Sequence, residues 1–421
     1  MSLLKLITVL LALLGSPLFI VISALALLSF HSAGIDLSVI VIEMSRLAEN
    51  PLLVSLPLFI FAGTVLSESG APGRMLKLSR LLLGWLPGGL AVISLTVCAV
   101  FTAFTGASGV TIVALGGLLL PALLQDGYNE RFSLGLLTSS GSLGLLFPPS
   151  LPLILYGVIS ESRIDHLFLA GILPGMVMLL LLIVYAMFKA PARPKERIRY
   201  SRREILAGLA ESAWEIPLPV IILGGIYGGF LLASEAAAVT ALYVMIVETF
   251  IYKDISVSRL PRIMGKAMML FGGILVILAA SMATTNYLVD QEIPVRLFHF
   301  IRTYIDSKYT FLLLLNIFLL IVGCMLDIFS ALVLVVPLIL PMAIGYGIDP
   351  IHLGIIFLTN LQIGYNTPPV GLDLFMAAYR FQRPILELYR ASLPFLALML
   401  LTLAAITYMP WLSLIFIRIW G

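Results

Sequence analysis

Residues 141–152 read GSLGLLFPPSLP, and residues 361–372 read LQIGYNTPPVGL. Each stretch places a glycine and a proline pair inside an apolar run, and the second pair, Pro368-Pro369, follows Pro148-Pro149 by 220 residues. Proline lacks an amide hydrogen and its ring clashes with the preceding turn, while glycine permits unusual backbone angles. The two stretches therefore predict two apolar helices, each unwound at a break.

The chain around these breaks is strongly apolar. Of its 421 residues, 61% are hydrophobic and 11% are charged, and the mean hydropathy is +1.10. A soluble domain carries roughly 25% charged residues, and apolar runs of about 18 residues or more indicate membrane helices. We predict a polytopic membrane protein with simple spans near 3–30, 52–68, 165–188, 216–233, 235–252, 267–288 and 392–414. The first run exceeds the apolar core of about 7–15 residues in a signal peptide, so we expect an uncleaved span.

The motifs typical of enzymes and metal centres are missing from the sequence. Cys98 and Cys324 both fall in apolar runs, which favours core packing over a disulfide. The histidines show no metal-ligand spacing, and no zinc-protease, serine-hydrolase or P-loop motif occurs. We therefore expect a protein that is not an enzyme.

The basic residues predict the orientation of the chain. The segment KAPARPKERIRYSRRE (189–204) holds seven Lys and Arg residues, and short basic loops face the cytoplasm. Counting spans outward from this loop places the N-terminus in the cytoplasm. The count requires 88–122 and 310–343 to be re-entrant hairpins, and 133–160 and 352–380 to be single broken spans.

The two halves of the chain also match elsewhere. LLLPALL (118–124) corresponds to LILPMAI (338–344), and APGRMLKLSRLL (71–82) corresponds to IPVRLFHFIRTY (293–304). The second pair is amphipathic and suits helices that lie along the membrane interface. Five crossings separate the starts of the two units, so the second unit is inverted. Inverted repeats with broken helices are typical of secondary transporters whose site lies at the repeat interface.

The predicted hairpin tips carry the polar residues of these apolar regions. They read FTAFTGASGVT (101–111) and VGCMLDIFSA (322–331). Hydroxyls and freed carbonyls suit Na⁺, and the half-helix after each break offers backbone N–H groups to an anion. An acid such as Asp327 is costly within an apolar stretch. It either caps the following half-helix or takes part directly in ion binding or gating.

Several strings together resemble the large membrane subunit of TRAP transporters (tripartite ATP-independent periplasmic transporters, DctM type), and the resemblance covers essentially the whole chain. They are PLFIFAGTVLSESG (57–70), LPGGLAV (86–92), TGASG, GSLGLLFPPSLP, LILPMA, NTPPVGLDLF and LPFLALMLLTL. The resemblance implies an all-α, elevator-type member of the ion-transporter superfamily, with inverted repeats, two re-entrant hairpins and two broken helices. It also implies Na⁺-coupled import, across a bacterial inner membrane, of a carboxylate-bearing organic acid such as a C4-dicarboxylate or a sialic acid.

The same resemblance implies partners and site residues. A periplasmic substrate-binding protein delivers the substrate, a small four-helix DctQ-type membrane subunit on a separate chain braces the scaffold, and no organic cofactor is required. The residues carried over for the first Na⁺ site are Thr102, Thr105, Gly144, Phe147 and Pro149. Those for the second Na⁺ site are Gly323, Gly364, Thr367 and Val370. Those expected near the substrate are Ser108, Ser142, Asp327 and Asn366. The link LLASEAAAV (231–239) departs from the family by having Ala-Ser where Pro-Thr is frequent.

From these landmarks we expect a scaffold and a transport domain. The scaffold comprises an N-terminal span and periplasmic loop (1–51), a span and arm helix (52–87), spans with the basic loop (161–266), a span and second arm helix (267–309) and the C-terminal span (381–421). The transport domain comprises the first hairpin and broken helix (88–160) and the second hairpin and broken helix (310–380).

One alternative remains close to this interpretation. A one-component Na⁺/dicarboxylate symporter of the divalent-anion fold shares paired hairpins and needs no binding protein. A channel would show pore-lining charges of one sign, and an intramembrane enzyme would need a partner acid for Asp327. The sequence names no particular organic acid, and Arg46 is either an interfacial anchor or a residue that faces the substrate.

Overall fold

The computed structural model describes residues 8, 10, 16, 18–39, 41–42, 45, 51–83, 86, 88–191 and 202–420. The start of the first predicted span, Arg46 and most of the basic loop 189–204 lie outside the described residues. Across the described ranges the chain forms helices and no strand. The prediction of an all-α fold is therefore confirmed.

The helices follow one another with short connections. Those of the first half are α1 Leu18–Ala33, α2 Ser55–Glu68, α3 Ala71–Leu83, α4 Gly89–Thr105, α5 Ser108–Gln125, α6 Glu130–Ser140, α7 Leu151–Ser160, α8 Ile164–Phe188 and α9 Arg202–Glu211. Those of the second half are α10 Pro217–Tyr227, α11 Ala233–Ile251, α12 Leu260–Asp290, α13 Ile293–Tyr304, α14 Lys308–Met325, α15 Ile328–Gly345, α16 Pro350–Gly364, α17 Leu372–Phe381, α18 Ile385–Tyr408 and α19 Trp411–Trp420. Among the described residues, 7 helices are long and apolar enough to cross a membrane, as a multi-pass membrane protein requires.

The order of elements in α2–α8 recurs in α12–α18. Each series runs through a scaffold helix, an amphipathic arm, two hairpin helices, a broken pair and a long helix. The first half of each broken pair is capped by a side chain at matching positions. Asn129 accepts a hydrogen bond from the amide of Arg131 at 2.9 Å, and Asp349 accepts one from Ile351 at 2.8 Å.

The hairpin tips are short because each has a residue suited to ending one helix or starting the next. Gly106 ends α4 in the left-handed region, with φ +66°, and its amide donates to the carbonyl of Thr102 at 2.8 Å. Asp327 starts α15 by accepting hydrogen bonds from the amides of Phe329 at 3.0 Å and Ser330 at 3.1 Å. Of the two roles considered for Asp327, the structure shows the cap.

Both predicted breaks are present. After α6, a short 3₁₀ turn covers Leu143–Leu146, and α7 then leaves at an angle of 43°. After α16, no helix forms until Leu372. Both Pro-Pro peptide bonds, at Pro148-Pro149 and Pro368-Pro369, are cis.

The first amphipathic helix, α3, is held by one arginine to the segments that contain α10 and α11. Both Glu248 carboxylate oxygens accept from Arg74 at 2.8 Å, Glu215 and Asp254 also pair with Arg74, and its guanidinium lies 3.7 Å from the centre of the Tyr252 ring. Each of the three guanidinium nitrogens, Nε, Nη1 and Nη2, thus meets a different acid, and such charge-assisted hydrogen bonds are stronger than neutral ones. The matching residue of the second arm, Arg296, is exposed and forms no ion pair with the described residues.

The C-terminal region differs from the single predicted span at 392–414. The helix α18 begins at Ile385 and ends at Tyr408, just before Pro410, and a second helix, α19, follows and packs against α8. The residue before a proline is disfavoured in the helical conformation, which explains the stop. Apolar packing elsewhere falls into two large clusters, one around α2, α7, α12, α15 and α16 and the other around α4, α5, α8 and α18.

Candidate functional site

A cavity of about 670 Å³ lies between the two hairpin tips and the scaffold. Ser108 belongs to the first tip and Asp327 to the second, and both line the cavity. The scaffold side is formed by the end of α2 and the start of α12, where Glu68 and Lys266 form an ion pair. Most of the remaining wall is apolar, as expected for a small-molecule site with a few polar groups.

The first break packs directly against the first hairpin. The Thr102 hydroxyl donates to the carbonyl of Gly141 at 2.7 Å and lies 2.6 Å from the hydroxyl of Thr111. A Cβ atom on Gly144 would lie 2.2 Å from the Ala99 carbonyl oxygen. Gly144 is thus required for close approach of two backbones, whereas the sequence suggested a need for unusual backbone angles.

Other residues of the predicted first Na⁺ site are placed differently. The Thr105 hydroxyl is buried and has no hydrogen-bond partner in the structure. The Phe147 ring packs on Gly175 of α8, where an added Cβ would meet ring carbons at 2.9–3.2 Å. Pro149 follows a cis peptide bond and lies just before α7. The structure therefore brings Thr102 and Gly144 together. It leaves the Thr105 hydroxyl, on the same helix as Thr102, without a hydrogen bond from the described residues.

The second break packs on the second hairpin through glycine backbones. A Cβ atom on Gly364 would lie 2.5 Å from the carbonyl carbon of Gly323. The chain after the break returns to the same hairpin, because the amide of Gly371 donates to the Cys324 carbonyl at 3.1 Å. Thr367 hydrogen-bonds through its hydroxyl to the Ile363 carbonyl at 3.0 Å, and the Val370 side chain is 41% exposed.

The four residues expected near the substrate fall into two groups. Ser108 and Asp327 line the cavity, whereas Ser142 and Asn366 are fully buried. The Ser142 hydroxyl donates to the Gln362 carbonyl at 3.2 Å, and the Asn366 amide nitrogen lies 3.5 Å from the Ser142 oxygen. The two buried residues thus join the first break to the second.

Sequence reasoning missed Asp373. It lies in the first turn of α17 and is fully buried, and neither carboxylate oxygen accepts a hydrogen bond of ordinary geometry, although the Ser108 and Ser142 side chains lie beside it. The signal was available, because the string NTPPVGLDLF places an acid in an apolar stretch just as the second hairpin does at Asp327. Acids are also common in the first turn of a helix, so the position of Asp373 did not single it out as a functional residue.

Comparison with known sequences shows a close relationship to one family. Residues 5–412 match the family described as "Tripartite ATP-independent periplasmic transporter, DctM component". The C4-dicarboxylate TRAP transporter large permease protein DctM of Pseudomonas aeruginosa is 34% identical, over 89% of this chain and 88% of that protein. The isethionate TRAP transporter permease protein DctMQ of Oleidesulfovibrio alaskensis is 33% identical, over 96% of this chain and 64% of that protein.

A solved structure shares the fold. The Alcanivorax borkumensis YdaH transporter, whose crystal structure is described as having an unusual topology, superposes with a TM-score of 0.59. The match covers 87% of this chain and 86% of that chain at 16% sequence identity. At this identity the likeness concerns the arrangement of helices alone, and it agrees with the polytopic all-α architecture predicted from the sequence.

Proposed function

The chain belongs to the DctM component family of the tripartite ATP-independent periplasmic transporters, and from this premise we propose that it is the Na⁺-coupled importing subunit for a carboxylate-bearing organic acid. Membership of the family identifies a multi-pass transporter permease of the bacterial inner membrane. The coupling ion, the mechanism and the substrate class are our proposals. We also propose a DctQ-type membrane subunit and a periplasmic binding protein as its partners.

The convergence of two hairpin tips and two broken helices on one cavity carries this proposal. Each break packs on its own hairpin, at Gly144 in the first repeat and at Gly364 in the second. Unwound backbone within an apolar layer survives only where it is buried in protein or lines a cavity, and its carbonyls are hard oxygen ligands. These features support one Na⁺ site at each break, formed by the residues carried over from the family.

The division between a fixed and a moving part is supported by the contacts of the first arm. Arg74 joins α3 to the scaffold segments around Glu215, Glu248 and Asp254. The hairpins and breaks contact one another through Thr102, Gly371 and their partners, and the first hairpin also packs on α2 at Gly63. We propose that the hairpins and broken helices move together against the scaffold, as in an elevator.

The position of the cavity supports an inward-facing state. Its scaffold wall ends at Glu68 and Lys266, which lie next to the basic arm α3 and the basic segment before α12. Basic segments of this kind mark the cytoplasmic side of a membrane protein. We propose that the cavity opens to the cytoplasm and that the N-terminus lies on the same side.

The substrate class is supported by the relatives. The two relatives are named for C4-dicarboxylate and for isethionate, and this chain resembles them almost equally. A negative charge is the common property of those substrates. We propose a small organic acid with a carboxylate, which is the substrate class that the family resemblance implies.

Uptake into proteoliposomes tests the proposed function. The chain would be reconstituted with the small membrane subunit, and labelled organic acids would be supplied with the periplasmic binding protein under an inward Na⁺ gradient. We expect uptake that requires both Na⁺ and the binding protein. Uptake without the binding protein would favour the one-component symporter, and uptake independent of Na⁺ would contradict the coupling.

A further inference from the structure

The Asp373 side chain is an acid without a counter-charge. It is fully buried, and neither of its oxygens accepts a hydrogen bond of ordinary geometry. None of the ion pairs among the described residues involves it. A carboxylate removed from water needs a cationic partner, a metal ion or a proton, because an isolated buried charge is very costly.

Ser142, which lies beside Asp373, and Asn366, which lies next to Ser142, add oxygen atoms to this region. The Asn366 side-chain oxygen is buried and unpartnered, while its amide nitrogen lies 3.3 Å from the Gln362 carbonyl and 3.5 Å from the Ser142 hydroxyl. The Ser142 proton is also directed to the Gln362 carbonyl, at 3.2 Å. The donors of Ser142 and Asn366 are therefore within reach of the Gln362 carbonyl, while the Ser108 side chain lies beside Asp373. The lone pairs of these side-chain oxygens remain available to a cation.

The other ionisable groups near Asp373 do not neutralise it. The Tyr365 hydroxyl accepts the amide hydrogen of Ile328, and the Tyr365 carbonyl accepts the Asp373 amide at 3.1 Å. The Asp327 carboxylate, beyond Tyr365, caps α15 and adds a second negative charge to the region. An anionic substrate in the adjoining cavity would therefore meet two acids unless a cation is bound.

We propose that Asp373, Ser108, Ser142 and Asn366 form a third Na⁺ site, separate from the sites at the two breaks. The inference rests on the proposed function, because it adds a cation to the same transport cycle. A carboxylate, an amide oxygen and hydroxyls are the hard oxygen ligands that such an ion takes. Ser108 also lines the cavity, so this ion lies between Asp373 and the substrate and must bind before the anion does.

Ion binding without substrate tests the third site. Thermal unfolding of the complex with its small subunit would be measured over a range of NaCl, with choline chloride keeping the ionic strength constant. A ligand that binds only the folded state raises the melting temperature by mass action. We expect the wild type to be stabilised by Na⁺, and Asp373→Asn to show a Na⁺ dependence reduced by about one ion.

Two further variants keep the test decisive. Ser108→Ala retains the charge and removes one ligand, so we expect about a tenfold higher half-saturating Na⁺ concentration and an unchanged melting temperature without Na⁺. Asp349→Asn removes an exposed carboxylate from a cap that Asn also forms, and should match the wild type. Should Asp373→Asn fail to fold, the response of Ser108→Ala decides the question.

The possible outcomes separate the two proposals. If the wild type does not respond to Na⁺ at all, Na⁺ coupling and the third site both fail. If the wild type responds and both Asp373→Asn and Ser108→Ala respond equally, only the third site fails. A third outcome is that Asp373→Asn abolishes a pH dependence of the melting temperature that the wild type shows without Na⁺, while its Na⁺ dependence equals that of the wild type. In that case Asp373 carries a proton, and the third Na⁺ site is wrong.

Discussion

The backbones of Gly323 and Gly364 touch. A Cβ atom on Gly364 would lie 2.5 Å from the carbonyl carbon of Gly323 and 2.7 Å from its α carbon. In a helical membrane protein, small residues permit such close approach of two chain segments. The contact places the second hairpin directly on the second break, where the family resemblance locates a Na⁺ site.

The Gly364→Ala substitution should therefore separate the hairpin from the break. The new methyl group meets backbone atoms, which no rotamer change relieves, at a cost of about 1–3 kcal/mol. We expect the protein to reach the membrane and its initial rate of Na⁺-driven uptake to fall about fivefold or more, given a loss of that size. Gly273→Ala is the control, because an added Cβ there would have no atom of the neighbouring described elements within 4 Å. Wild-type uptake by Gly364→Ala would contradict the importance of the contact.

The Thr105→Ala substitution tests the first Na⁺ site. The Thr105 hydroxyl is buried without a partner, so its removal breaks no hydrogen bond seen in the structure. We expect unchanged thermal stability without Na⁺ and a half-saturating Na⁺ concentration for uptake about tenfold higher, the effect of losing roughly 1.4 kcal/mol of ligand binding. Thr105→Ser keeps the hydroxyl and should stay near the wild type. A wild-type Na⁺ response in the alanine variant would remove Thr105 from the site.

The second site is tested by Thr367→Ala. Here the hydroxyl already donates to the Ile363 carbonyl at 3.0 Å, and its oxygen lone pairs are what a cation would use. We expect a weaker Na⁺ dependence of uptake, together with a small loss of stability of about 0.5–1.5 kcal/mol for the missing hydrogen bond. Measuring both quantities separates the two effects. A stability loss with an unaltered Na⁺ dependence would show that Thr367 is structural.

The Arg74→Met substitution should destabilise the scaffold. It leaves the buried carboxylates of Glu215 and Glu248 without their cation, and breaking a buried pair in this way costs about 3–5 kcal/mol. Thermal unfolding in detergent would show the loss. Arg296→Met is the matched control, because that arginine is exposed in the second arm and should change stability by no more than about 0.5 kcal/mol. Equal effects of the two substitutions would contradict the role of the cluster.

The pH dependence of stability should contain a contribution from Glu215. Burial raises the pKa of Glu215 from 4.5 to about 7, even though Arg74 acts in the opposite direction. The folded state then binds more protons than the unfolded state between these values, so this contribution to stability increases as the pH falls from about 7 to 4.5. Burial alone would raise the pKa of Asp254, but the hydrogen bonds that it accepts from Arg74 and Gly70 lower this pKa below 3.8. Asp254 therefore titrates outside this pH window.

Unfolding of the wild type and of Glu215→Gln at several pH values between 8 and 5 would isolate this contribution. The amide cannot titrate. We therefore expect the free energy of unfolding to rise less in the variant than in the wild type as the pH falls from 8 to 5. Parallel curves for the two proteins would show that the Glu215 carboxyl titrates normally in the folded state.

Much of this architecture was accessible from the sequence. Pro148 and Pro368 located both breaks because proline cannot continue a helix, and the cap at Asp327 was one of the two roles considered for that residue. The sequence could not show that Gly144 serves close packing, because this depends on the position of Ala99 on another helix. The apolar stretch around Asp373 pointed to a special position, but the sequence did not show that its carboxylate is fully buried without an ordinary hydrogen bond. Both distinctions depend on tertiary contacts, which residue type and spacing do not specify.

The two breaks are attached to their hairpins by different chemical groups. Thr102 uses its side chain to reach the Gly141 carbonyl, whereas Gly371 uses its amide to reach the Cys324 carbonyl. Evolution can therefore adjust the first attachment by exchanging one side chain. The second attachment is tied to glycine, because Gly371 has φ +61° and an added Cβ would lie 3.0 Å from the Thr367 carbonyl oxygen. Among homologues, we expect position 102 to vary with the ion or rate that selection favours, while position 371 remains glycine.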